Sequence, residues 1–392
     1  MRTTGGAFRQ KVERLLREAS RLERESKDRL ESARTRFDAS NNLETPDRIP
    51  VTVSLSPVWS NWYFRKRYHV RIGEYWRNPE LLVEHQLRTY IDSFKDFEDD
   101  RTWVIPGEVG PLGGVVLHPS IVGCRTIFPE DDFAWIDLSH RALDSKEKVD
   151  DFATPDIPTA GLMPETLERL DKIGKLVGDL LKVRIQGGDG GPLQMAAYTR
   201  GIRELIKDMY TDPPIVRRLM DKMLDVYDAI RRYYRQTWGI EYEGDGREGH
   251  FYDNPLAYFS PALVEEFVLP CYRSYAEKCG WARWSFETQG VMDDLIEVFS
   301  RIPVGHFGNL VSSSNLARFK EVFGPRGTRF SVFVAPGRLV SEAGVRAEVS
   351  RIVSTMGLAG GWTLSSGVLD AAVPETHIYA FLKAAKESGK CR

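Results

Sequence analysis

The chain has 392 residues, 42% of them hydrophobic and 28% charged, with a formal net charge of -2. That composition belongs to an ordinary globular protein and leaves no broad electrostatic footprint for nucleic acid or an anionic membrane. No apolar run approaches the roughly 18–20 residues a bilayer span needs, Met1-Arg2-Thr3-Thr4 lacks the apolar core of a secretory signal, and Cys124, Cys271, Cys279 and Cys391 are scattered without CxxC spacing, so free thiols in a reducing cytoplasm are expected.

Phe8 to about Phe37 reads as a heavily charged helix. Val12, Leu15, Ala19 and Leu22 keep a 3-4 spacing, Ser26 continues it weakly and Leu30 slips past it. So narrow a stripe suits a helix laid on a partner or on the outside of a larger body. Residues 1–44 are therefore set apart as a charged helical extension, solvated and without catalytic part in the plainer reading, a dimerisation arm or lid in the other. After Asn41-Asn42, Asp47-Arg48-Ile49-Pro50 leads into a first strand at Val51–Leu55. To about residue 165 the chain is irregular and rich in aromatics, Pro and Gly, with one clear helix near Pro79–Phe97. From Leu180 a strand-then-helix rhythm sets in. Strands are predicted at Val183–Gly187, His250–Tyr252, Ala282–Glu287, Val304–Gly308, Arg329–Val334 and Gly361–Leu364, with helices from near Gln194, Ser260, Val291, Ser314, Ser341 and Pro374. Ser260-Pro261 places an N-cap before a proline at the first helical position. Pro374-Glu375 starts the last helix with an acid and Gly389 can end it. Six late units and two earlier strands make eight, which argues for a parallel sheet covered by helices. Periodicity leaves a closed barrel and an open doubly wound sheet both standing. No GxGxxG or P-loop follows the first strand, so nucleotide-binding versions lose ground.

Several segments, in order, resemble one family. They are Asp47-Arg48-Ile49-Pro50-Val51, Tyr75-Trp76-Arg77-Asn78-Pro79-Glu80, Phe128-Pro129-Glu130-Asp131, Gly191-Pro192-Leu193 with Ala197-Tyr198-Thr199-Arg200-Gly201, and Asp208-Met209-Tyr210-Thr211-Asp212-Pro213. Ser260-Pro261 through Phe267-Val268-Leu269-Pro270, Gly360-Gly361-Trp362, Ser365-Ser366-Gly367 and Pro374 complete the set. Together they are similar to the uroporphyrinogen decarboxylase superfamily. The resemblance implies an α/β fold, a (β/α)8 TIM barrel over residues 45–392 behind the helical extension. That superfamily holds the heme-pathway decarboxylase and methyltransferases that move methyl groups to or from corrinoid proteins or coenzyme thiols. The decarboxylase carries an arginine-rich segment after its first strand. Here Ser56-Pro57-Val58-Trp59-Ser60-Asn61-Trp62-Tyr63-Phe64 is apolar and aromatic, and Arg65, Lys66 and Arg67 follow outside the family's pattern. A polycarboxylate needs several cations, because an unpaired buried carboxylate is costly; aromatics suit a flat ring or a methylated cation. The zinc-dependent thiol methyltransferases place His-x-Cys where this chain has Glu287 and Gln289, and a second Cys where it has Val368. No zinc is therefore expected. The branch that remains implies an enzyme of the O-demethylase type. It would take a methyl group from a small donor, a methoxylated aromatic or methylated amine, to a corrinoid (cobalamin) carried by a partner protein, and form a homodimer by analogy alone.

In a barrel, chemistry sits at the carboxyl ends of the strands. Demethylating an aryl ether needs a proton for the leaving phenolate, which a carboxylic acid can supply. Glu287 and Asp253 are the candidate acids; a rim salt bridge and a loop cap are their plainer roles. Gln289 and Asn309 are candidate substrate contacts. His250 and His306 lie inside strands and are further substrate candidates, with a satisfied core histidine as the plainer reading of each. Trp59, Trp62, Tyr63 and Phe64 follow the first strand, and at least one is expected to line the mouth. Gly188, Asp189 and Gly190, within Gly187–Gly191, could let a corrinoid approach the backbone closely. A metal on His250, Asp253 and Glu287 is chemically allowed but not expected. Two alternatives stand beside methyl transfer: a lyase of the same fold with Arg65, Arg67 or Arg200 turned into the mouth, and a non-catalytic barrel whose pocket is filled by side chains.

Overall fold

A computed structural model describes residues 4–57, 60–111, 113, 116–186, 190–240, 243–244 and 248–390. Eight parallel strands stand round a barrel: β1 (Val51–Ser54), β2 (Glu108–Val109), β3 (Lys182–Val183), β4 (Glu248–Tyr252), β5 (Arg283–Glu287), β6 (Val304–Val311), β7 (Arg329–Phe333) and β8 (Trp362–Val368). One ladder joins six of them in the order β1-β8-β7-β6-β5-β4, and a second joins β2 to β3. Among the described residues no strand pairing joins the two ladders, and isolated hydrogen bonds from flanking segments lie beside each gap. At the first, the Asp100 N–H donates to Val51 O (2.8 Å), while the Asp100 and Asp99 carboxylates accept from Val51 N (2.8 Å) and Val53 N (3.0 Å). At the second, the Gly191 N–H donates to Tyr252 O (2.7 Å). The result is the (β/α)8 barrel.

Alternation explains why these strands sit as they do. In Arg283-Trp284-Ser285-Phe286-Glu287 the aromatics face out to the helices and the polar residues face in. Phe251, Phe286 and Phe307 are buried on that outer side. Phe251 stacks on Tyr272 (4.1 Å), Phe286 lies against Phe299 (4.8 Å), and Phe307 meets Phe319 and Phe323 edge-on (5.1 and 5.0 Å). Each such burial stabilises the fold by about 1.5–3 kcal/mol. The strand expected at Val304–Gly308 runs on to Val311 and that at Gly361–Leu364 to Val368; Gly187, the expected end of the third, lies outside the described residues.

The N-terminal extension forms two helices, α1 (Thr4–Glu25) and α2 (Lys27–Asn41), instead of one. They part at Ser26, where the backbone leaves helical values (φ −109°, ψ 22°) and the apolar stripe slips. Phe8, Val12, Ala19 and Leu30 are buried, α1 lying against α3 (Pro79–Asp96) and α4 (Met163–Val177). Arg29 fastens α2, its guanidinium 4.1 Å from the Phe94 ring centre and donating to Phe97 O (2.9 Å). A 26-residue helix, α7 (Pro213–Trp238), was not among the predicted starts. It follows α5 (Pro192–Arg200) and α6 (Ile202–Thr211), which part at Gly201 with a left-handed φ of 83°. Among the described residues no helix is long and apolar enough to cross a membrane.

Candidate active site

The inward faces of β4–β8 carry His250, Tyr252, Ser285, Glu287, His306, Ser331, Thr363 and Ser365, most of them half-buried. Barrels of this kind commonly fill their interior with branched apolar side chains; this one is polar there. At the amino end Arg329 pairs with Glu248 (2.7 Å) and Arg184 with Glu108 (2.6 Å).

Strand register then sets a row of contacts. Tyr252 pairs with Glu287, His250 with Ser285, and Ser285 with His306. His250 Nε2 lies 3.4 Å from Glu287 Oε2, and its Nδ1 lies 3.3 Å from Ser285 Oγ. Ser285 Oγ is 3.2 Å from His306 Nδ1, and His306 Nε2 is 2.9 Å from Ser331 Oγ. Thr363 Oγ1 continues the row toward Ser331 at 3.5 Å. Burial, reinforced by Arg329 and His250, pushes the His306 pKa down to about 3, so its ring is neutral at physiological pH. The effect on stability follows from linkage. The unfolded chain protonates this histidine first, so its contribution is lost as pH falls from about 6.5 toward 3.

Glu287 ends β5 at the carboxyl face with its side chain one-third exposed (33%). Asn309 Nδ2 donates to its other oxygen, Oε1. A bulge in β6 aims that amide. Phe330 pairs with Phe307 and Val332 with Leu310, so Gly308 and Asn309 together oppose Ser331 alone. The extra residue turns Asn309 off the ladder. Glu287 is thus held by an amide donor on one oxygen and an imidazole beside the other, at the end where barrel chemistry takes place.

Asp253 is placed differently. It is 2% exposed, and its oxygens accept from Gln194 N (2.6 Å) and Tyr272 Oη (2.5 Å). A Cβ on Gly191 would come within 2.2 Å of it, so only glycine lets the chain pass. Burial pushes the Asp253 pKa up to about 7, against the lowering pull of the Tyr272 and Gln194 hydrogen bonds. Asp253 pins the start of α5 to the end of β4.

Trp62 and Tyr63 are each 1% exposed and Phe64 fully buried. The Trp62 indole donates to Val373 O (3.0 Å) and the Tyr63 hydroxyl to Asp96 (2.6 Å), so both are tied into the packed interior. Trp59 lies outside the described residues, as do Gly188 and Asp189. Gly190 is buried, its N–H bonded to His118 Nδ1 (3.0 Å). Gln289 is exposed two residues beyond Glu287. Asn309 donates to Glu287. Sequence reasoning missed Ser285, Ser331 and Thr363; the polar–aromatic alternation of β5 and β7 was the signal that could have found them.

The sequence profile of the family described as Uroporphyrinogen decarboxylase (URO-D) matches residues 32–237, more than half of the chain. The chain belongs to the uroporphyrinogen decarboxylase family. No curated protein matches it. Among solved structures, this family member resembles a methyltransferase from Methanosarcina mazei, at 16% identity and a TM-score of 0.63, over 91% of this chain and 98% of that one. That likeness is one of fold. Among the described residues no group of three or more His, Cys, Asp or Glu could hold a metal ion.

Proposed function

We propose that the protein is a methyltransferase that takes a methyl group from a small donor, a methoxylated aromatic or a methylated amine, and passes it to a corrinoid held by a partner protein. The observation that carries this reading is Glu287, one-third exposed at the carboxyl end of β5 and oriented by Asn309 and His250. For an ether donor, the bond from oxygen to methyl breaks with its electron pair left on oxygen. Glu287 gives its proton to that oxygen, and the acceptor supplies the pair for the new bond to carbon. The remaining work is positioning: the barrel wall holds donor and acid together. The family fold and its likeness to a methyltransferase support the same reading.

A lyase acting on a polycarboxylate would need cations converging on the mouth. Arg200 is buried against Asp208 (2.7 Å), Arg67 lies near Asp96 and Glu375, and Arg65 is exposed on the turn at Phe64–Tyr68. The inward Arg184 and Arg329 are already paired.

The test is incubation with reduced cobalamin and a pooled set of methoxylated aromatics and methylated amines, following the visible spectrum for methylation. A protein-dependent change supports methyl transfer, and splitting the pool identifies the donor. No change, with a corrinoid methyltransferase active under the same conditions, overturns the reading.

A further inference from the structure

Beside the barrel mouth lies a cleft of about 780 Å3. The loops that follow β4 and β5 give it Tyr258 and Gln289. Trp135 and Arg141 come from the segment around the short strand Trp135–Ile136, and Tyr198 and Arg203 from α5 and α6. Its size is that of a small-molecule pocket, on the order of 300–1,000 Å3. Trp135 is 45% and Tyr258 71% exposed, rings that a purely solvated surface has no reason to gather.

The charge in the cleft has one sign. Arg141 lies across Gly201, where an added Cβ would come within 2.8 Å of its Nε, so this glycine makes room for the guanidinium. Arg141 makes a loose ion pair with Glu204 (3.7 Å), which Lys207 shares (3.8 Å). Arg203 is exposed, with no ion pair among the described residues. Two guanidinium groups beside aromatic rings match a flat ligand with a carboxylate at one end. The rings take its faces, and the forks of the arginines take its oxygens.

We propose that this cleft binds an aromatic carboxylate. Resting on the methyl-transfer reading above, the ring carries its methoxy group on the side of Gln289, two residues from Glu287. The carboxylate sits on Arg141 and Arg203.

Calorimetric titration with 4-methoxybenzoate and with 4-methoxybenzyl alcohol tests this on the whole protein, with circular dichroism to check each variant's fold. The carboxylate is expected to bind about tenfold or more tightly than the alcohol. That preference should vanish in the Arg141→Gln/Arg203→Gln double variant, and Tyr258→Ala should weaken both ligands. Equal binding of the two compounds, unchanged binding by the double variant, or no binding of the carboxylate at millimolar concentration each overturns the assignment. Methyl-transfer assays on the same proteins separate the two readings. Arginine-dependent binding without transfer keeps the cleft and removes the transferase; transfer whose KM ignores the double substitution removes the cleft and keeps the transferase.

Discussion

The two halves of the barrel are built by different means. From β4 to β8 the strands run five to eight residues, pair in one ladder interrupted only by irregularities in β6, and sort aromatic from polar on alternate positions. From β1 to β3 they run two to four residues, and β1 is flanked by isolated hydrogen bonds to the carboxylates of Asp99 and Asp100 instead of a neighbouring strand. The regular half fixes the proposed acid to within a ladder position. The irregular half, through the segment around Trp135 and Arg141, supplies walls. Where register is enforced by a buried aromatic face, a side chain on the opposite face is aimed as well. Where the chain is irregular, surface and shape can vary without moving that aim.

Four measurements sharpen or break this contrast. Glu287→Gln should keep the melting temperature and slow methyl transfer by about 10²–10⁴-fold; unchanged turnover would place the proton donor elsewhere. Phe286→Ala, one residue away on the outer face, should do the reverse first. Denaturant titration should find a loss of about 3–5 kcal/mol, and a loss under one would mean that the aromatic layer does not hold the register. Asp253→Asn tests the raised carboxyl. Its folded pKa lies above the unfolded value, so the wild-type carboxyl favours folding at low pH and costs stability as pH rises through about 7. Melts from pH 4 to 8 should therefore show the amide gaining on wild type with rising pH, by on the order of a few kcal/mol at most. A flat difference across that range contradicts the assignment. Leu138→Ala, 62% exposed in the irregular half, should change stability by no more than about 0.5 kcal/mol.

The same contrast decided what could be read from residues alone. The predicted strands of the regular half fall within a few residues of those observed, because alternation reports directly on a face. Helix starts were legible where chemistry marks them: the Ser341 hydroxyl accepts from Gly344 N (3.1 Å), and Asn78 Oδ1 before Pro79 accepts from Glu80 N (3.0 Å). For Trp62 and Tyr63 the sequence left the burial open, because dense aromatics after a strand fit a mouth and a buried loop equally well. Only contacts more than thirty positions distant in sequence, with Val373 and Asp96, tell the two apart. The aim of Asn309 depends on a bulge, which a single strand's pattern does not display. Arg141 and Gly201 meet across the fold with no local signature at all.

The row from Glu287 through His250, Ser285 and His306 to Ser331 has the spacing to carry its protons in either of two senses. While both imidazoles are neutral, each ring offers one N–H and one lone pair, and each hydroxyl passes on what it receives. The five groups can then point all one way or all the other. With Glu287 ionised, His250 Nε2 carries the proton, and His306 carries its own on Nδ1. With Glu287 protonated, both rings take the opposite tautomer. The state of a carboxyl at the rim is thereby written on an imidazole two strand positions deeper, while every heavy atom stays where it was.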